Sequence, residues 1–132
     1  MGRPDVSQPV DGPGFELFLK FMRQHPHVWC KVSCPERLSL AGPPALDGQA
    51  TPYRDVWPFA RRVVELFPDR VLWGTDWPHP MPPKGVKRDP KVIEQFKPED
   101  DFAALMRMVK WAGDPVTVKK VLVDNAAHLY DF

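Results

Sequence analysis

The chain has 132 residues, 43% of them hydrophobic, and a formal net charge of +1. That balance suits one soluble domain, or part of a larger one, and argues against nucleic acid or an anionic membrane as partner. No apolar run approaches the ~20 residues that span a bilayer, and the opening MGRPDVSQPVDGPG lacks the apolar segment of a signal peptide.

Two cysteines, Cys30 and Cys34, sit near one predicted strand. No second Cys/His pair stands at zinc spacing, so they read as reduced thiols of a cytoplasmic protein. Seventeen prolines concentrate in residues 4–13, 35–58 and 78–98, which are expected to be loops.

In chain order, FELFLKFMRQ (15–24) places Phe15, Phe18, Leu19 and Met22 on one helical face. His25-Pro26 ends that helix. HVWCKVS (27–33) reads as a strand, and a long loop follows to Tyr53. Val56, Phe59, Ala60, Val63, Val64 and Phe67 then mark a second helix, with Asp55 as the expected N-cap and Pro58 tolerated in the first turn. RVLWGTD (70–76) is the second strand. Strand, helix, strand predicts a parallel βαβ unit covered on both faces. After a second proline-rich loop, Phe102, Leu105, Met106 and Val109 are expected to form the apolar face of a helix that Gly113 closes. Asp114 and Pro115 open the last helix, whose stripe is Val118, Val121 and Leu122.

In parallel α/β folds, sites form at the carboxyl ends of strands. Asp76 lies there, on the same side of the pleat as Leu72 and Gly74. A carboxylate in that place binds a metal, acts as a general base toward water, or only caps the loop. Lys31 and Ser33 stand at a similar level of the first strand, and Arg37 just beyond it is suited to grip a carboxylate. His79, held between prolines, is either a ligand or supporting donor near Asp76 or an exposed loop residue. His25, His27 and His128 read as structural. Lys84, Lys87 and Arg88 make a basic patch, either solvated surface or an attraction for an anionic substrate.

VLWGTDWPHP, the helix PFARRVVELFPDR before it and the ending VLVDNAAHLYDF resemble the amidohydrolase-related family of TIM barrels. MGRPD, KVS, ERLS and GTDWPHP recur in this order in its members that open 2-pyrone-4,6-dicarboxylate, lactonases of aromatic catabolism. The resemblance implies that residues 1–132 are the C-terminal part of an α/β fold, a (β/α)8 barrel. It implies a hydrolase whose metal-free site, with no cofactor, opens a small dicarboxylate lactone. Asp76 would deprotonate the attacking water and Arg37 would grip a substrate carboxylate, with His79, Lys31 and Ser33 as supporting residues. The alternatives are a related zinc-dependent hydrolase acting on another lactone or amide, with Asp76 as a ligand, and a non-catalytic half-barrel that only oligomerises.

Two departures follow from the same resemblance. The loop from Leu38 to Tyr53 is longer than the family's, with LDGQAT inserted, which weakens the assignment of Arg37. The family's His-x-His motif, further arginines and the histidine before Met-Gly-Arg-Pro-Asp lie outside the chain. A barrel takes ~250 residues, so the chain reads as about the last half of one, from a truncated coding sequence or an internal start. Alone it is expected to be inactive and poorly soluble unless it pairs with an N-terminal half or a second copy.

Overall fold

A computed structural model describes residues 1–42, 52–80, 89–93, 96 and 98–132. Helix α1 spans Pro13–Gln24, strand β1 Cys30–Val32, helix α2 Trp57–Leu66 and strand β2 Val71–Trp73. Helices α3 (Asp101–Ala112), α4 (Pro115–Lys119) and α5 (Asn125–Tyr130) follow. The strands pair in parallel, Cys30 beside Val71 and Val32 beside Trp73, so the expected βαβ unit is present.

Apolar spacing explains the packing. In α1, Phe15, Leu19 and Met22 fall on one stripe and are buried. In α2, Phe59, Ala60, Val63 and Val64 do the same, and Phe15 meets Phe59 edge to face at 4.9 Å. These stripes close over Cys30, Val32 and Val71 in one core, where each large side chain contributes about 1.5–3 kcal/mol by leaving water. Gly2 lets the N-terminal segment lie on α1, since its φ is +64° and a Cβ would come within 2.6 Å of the Phe18 ring.

Arg70 ties the layers together. Its Nη1 donates to the carbonyls of His25 and Val28 at 3.0 and 3.1 Å, and its Nη2 to that of Met22 at 3.0 Å. The guanidinium thus meets carbonyls at the C-terminal end of α1, where the helix dipole favours a cation. Between α4 and α5 the helix widens into a π turn over Lys120–Asp124. Just after it, buried Asn125 donates through Nδ2 to the carbonyls of Pro68 (2.8 Å) and Val71 (2.7 Å), fixing the C-terminal segment to the start of β2.

Several expectations are corrected. Both strands are three residues long rather than seven, because a turn at Pro26-His27 and the departure of the chain after Trp73 leave only three residues each to pair. The sheet is covered on one face at β1: Cys30 and Val32 are buried, but Lys31 is exposed on the other. Asp55 does not cap α2. Its carboxylate instead accepts from Ser39 Oγ and the Leu40 and Ala41 amides, folding the start of the long loop. Burial pulls its carboxyl upward, yet those donors hold it below its ordinary value. In α3 the buried face is Arg107, Met108 and Trp111, while Phe102 and Met106 point outward. The helix turns Trp111 toward Trp57, with ring centroids 6.4 Å apart, and turns Arg107 toward a buried carboxylate. The inserted LDGQAT lies outside the described residues except in its effect on numbering, as do Lys84, Lys87 and Arg88.

Candidate active site at the strand exits

Both strands leave the sheet at the same end, and their exits carry the polar side chains. After β1 the chain turns through Cys34, whose φ of 55° and ψ of 48° are left-handed, into a single helical turn over Pro35–Arg37. After β2 it reaches Asp76, also left-handed at φ 67°. Such backbone is costly for a residue with a Cβ and persists where its surroundings enforce it. Here the two reversals aim Arg37 and Asp76 at each other.

Arg37 Nη2 lies 2.5 Å from Asp76 Oδ2 and also donates to the Pro80 carbonyl at 2.9 Å. Asp76 Oδ2 is shielded from solvent, and the Arg37 contact is an ion pair without hydrogen-bond alignment. The His79 amide donates to the Asp76 carbonyl at 2.8 Å and closes the turn. The His79 ring points elsewhere: it is 5% exposed, and its Nε2 pairs with Asp101 Oδ1 at 3.0 Å. His79 is therefore buried rather than exposed loop, and it anchors the Asp76 loop to the start of α3.

Lys31, Ser33 and Arg37 line one groove of about 190 Å³ together with Arg3 and Cys34. Three cationic side chains on one groove, at the mouth of a parallel pair, form an attractive field for an anion. The sequence reading missed Arg3. The signal lay in the MGRPD opening, but only the fold brings that segment beside β1, where the Met1 amino group donates to the Lys31 carbonyl at 2.7 Å.

A second set of donors was also missed. One ligand atom each from Cys34, Glu36 and Asp76 lies within 4.8 Å of the others. Burial pushes the Cys34 thiol up to about 11; the Ser33 hydroxyl, 3.3 Å from Sγ, opposes this, and the Asp76 and Glu36 carboxylates add to it. Beside this cluster lies a small cavity of about 10 Å³, room for about one water. Glu36 and Glu99 border it, and Glu99 accepts from Arg107 Nη2 at 2.6 Å and from the Tyr53 hydroxyl at 2.8 Å.

The amidohydrolase family model matches residues 1–132. The chain belongs to the amidohydrolase family. It is 53% identical over 135 residues to a 2-pyrone-4,6-dicarboxylate hydrolase of Comamonas testosteroni, covering 98% of this chain and 39% of that protein. It is 35% identical to a 4-sulfomuconolactone hydrolase of Hydrogenophaga intermedia, covering 98% of this chain and 36% of that one. A crystal structure from Agrobacterium tumefaciens superposes with a TM-score of 0.66 at 25% identity, over 95% of this chain and 37% of that one. The chain thus spans about two fifths of the length of these relatives, and its architecture is part of an α/β barrel.

Family membership corrects the expectation of a site that works without metal or cofactor, because lactonases of the amidohydrolase family are typically metal-dependent. The residues fit such an ion. Asp76 Oδ2 is a buried carboxylate oxygen without a directed hydrogen bond, and a thiol and a second carboxylate stand within reach of it. Oxygen and sulfur donors of this kind suit zinc-like cations.

Proposed function

We propose that this chain forms the last strands of a barrel lactonase that hydrolyses small anionic lactones, with 2-pyrone-4,6-dicarboxylate as the foremost substrate. The carrying observation is the Arg37–Asp76 pair at 2.5 Å on the exits of two parallel strands. It joins a carboxylate able to take a proton from water to a guanidinium able to take a substrate carboxylate. Similarity to hydrolases of two different anionic lactones supports the substrate class.

The reaction follows from these groups. A substrate carboxylate draws Arg37 into a bidentate contact and frees Asp76. Arg3 and Lys31 add positive potential along the groove and orient the second anionic group. Asp76 accepts a proton as water adds to the lactone carbonyl, and returns it to the ring oxygen as the C–O bond breaks, so Asp76 ends as it began, and the new carboxylic acid then loses its own proton to solvent. Ser33 offers a hydroxyl donor at the groove wall. A divalent cation held by Asp76 would polarise the carbonyl and lower the pKa of the attacking water. The remaining strands come from the same polypeptide or from a second one. Free Cys30 and Cys34 suit a reducing cytoplasm, and among the described residues no helix is long and apolar enough to cross a membrane.

The test is Asp76→Asn in the assembled barrel, assayed on both lactones. Turnover is expected to fall by about 10²–10⁴-fold, the usual contribution of a general base, with the circular dichroism unchanged. A variant that keeps more than a tenth of the activity would refute the assignment.

A further inference from the structure

We propose that Asp101 is a positioning residue for the hydrolysis: through the buried His79 ring it holds the turn that carries Asp76. The inference rests on the lactonase reading of Asp76 and adds a residue outside the groove, in the first turn of α3.

The turn from Asp76 to Pro80 is held from inside and from outside. Inside it, the Trp77 amide donates to Thr75 Oγ1 at 3.1 Å and the His79 amide to the Asp76 carbonyl at 2.8 Å. From outside, Arg37 Nη2 donates to the Pro80 carbonyl at 2.9 Å, Pro80 bridges to exposed Phe96, and the His79 ring meets Asp101 Oδ1 through Nε2 at 3.0 Å. A carboxylate only accepts, so the ring donates through Nε2. Its Nδ1 is buried with no partner among the described residues, so the contact with Asp101 orients the ring. Both ends of the turn need such support. Asp76 at φ 67° and His79 at φ 56° are left-handed and carry a Cβ, a conformation that relaxes unless its surroundings hold it.

Turnover removes one of the outer holds. The Arg37 Nη2 that lies 2.5 Å from Asp76 is the same atom that holds Pro80. When a substrate carboxylate draws Arg37 away, the Pro80 contact loosens while Asp76 must stay aimed at the water. The hydrogen bonds inside the turn move with it, and the bridge to Phe96 reaches only the loop that follows. The His79–Asp101 contact reaches a helix instead, across 22 positions of the chain. That helix is fixed in its own right, since Arg107 pairs with Glu99 in the interior and Trp111 packs edge-on against Trp57. α3 does not need Asp101 as its cap, because Asp100 accepts from the Ala103 amide at 3.0 Å. The Asp101 carboxylate is left to face His79.

The experiment measures kcat, KM and the solvent deuterium isotope effect on both lactones in the assembled barrel, with circular dichroism and urea midpoints as the check on fold. Asp101→Ala should lower kcat by about 10–100-fold and leave KM within about twofold, because a displaced base costs turnover rather than binding. The loss should be equal on the two lactones, and the isotope effect should rise as proton transfer to Asp76 slows. Asp101→Asn, whose side-chain carbonyl still accepts from Nε2, should keep kcat within about threefold of the parent. Adding Asp101→Ala to His79→Phe should cost nothing further, since the two residues act as one unit. Asp100→Ala, which removes the cap of the same helix, should lower the urea midpoint and leave kcat and the isotope effect as they were. The inference is overturned by parent-like kcat in Asp101→Ala, by a loss that falls on KM, by an unchanged isotope effect, by equal losses in Asp101→Asn or Asp100→Ala, or by losses that add in the double variant. An active Asp76→Asn would instead sink the base assignment; an inactive one beside a parent-like Asp101→Ala would sink this inference alone.

Discussion

Glu99→Gln isolates the buried pair that supports the strand exits from behind. Arg107 and Glu99 lie 2.6 Å apart with side chains each 8% exposed, so water screens neither. Arg107 also lies 5.1 Å over the Tyr53 ring, and its Nε is buried with no hydrogen-bond partner. Removing the carboxylate charge leaves a guanidinium uncompensated in the interior, which costs about 3–5 kcal/mol. Glutamine still accepts from the Tyr53 hydroxyl, so the loss belongs at the low end, about 3 kcal/mol. With a urea slope of about 1.5 kcal/mol/M, the midpoint should fall by about 2 M. The double variant Glu99→Leu with Arg107→Met removes both charges and should recover to within about 1 kcal/mol of the parent, since paired burial of ions contributes little net stability. A single variant within 1 kcal/mol of the parent, or a double variant as unstable as the single, would refute this account of α3.

Two further outcomes are expected. Arg37→Ala should raise KM for a dicarboxylate lactone by about 10–100-fold, equivalent to about 1.5–3 kcal/mol for a charge-assisted contact, and should leave a lactone without a carboxylate unaffected; equal losses on both substrates would sink its role in binding. Burial first, then the neighbouring Glu99 carboxylate, raises the Tyr53 phenol well above its ordinary range. The unfolded phenol ionises near pH ~10 while the folded one keeps its proton, so this contribution is complete below that pH and is lost as pH rises further. Urea midpoints measured from pH 8 to 11 should therefore decline above pH ~10 and should decline less in Tyr53→Phe.

How much of this was legible in the sequence depended on how local the signal was. The stripes of α1 and α2 and the closing glycine of α3 are local patterns, and they appear where the spacing placed them. The face of α3 was misread because its apolar residues run nearly all round the helix, and a buried arginine decided which side turned inward. Asp55 stood where an N-cap belongs, but three donors across a loop outbid the helix for its carboxylate. At the site, the meeting of Arg37 with Asp76 was expressible as two strand ends. The cluster with Cys34 and Glu36 was not, because the thiol's neighbours stand 2 and 42 positions away in the numbering and only the pairing of the strands joins the two turns. His79 was expected near Asp76 and is near it in backbone only; its partner Asp101 lies beyond the second long loop.

The π turn at Lys120–Asp124 makes chain length, rather than residue identity, the protected quantity near the C-terminus. Each residue advances a helix by about 100°, so a wide turn is an angular offset written into the chain. Asn125 reaches the Pro68 and Val71 carbonyls at the phase this offset provides. Val123, half exposed on the outside of that turn, is free to change its side chain. Its deletion would restore a regular helix, swing Asn125 about a quarter turn away from β2, and unlock the far end of the strand whose exit carries Asp76.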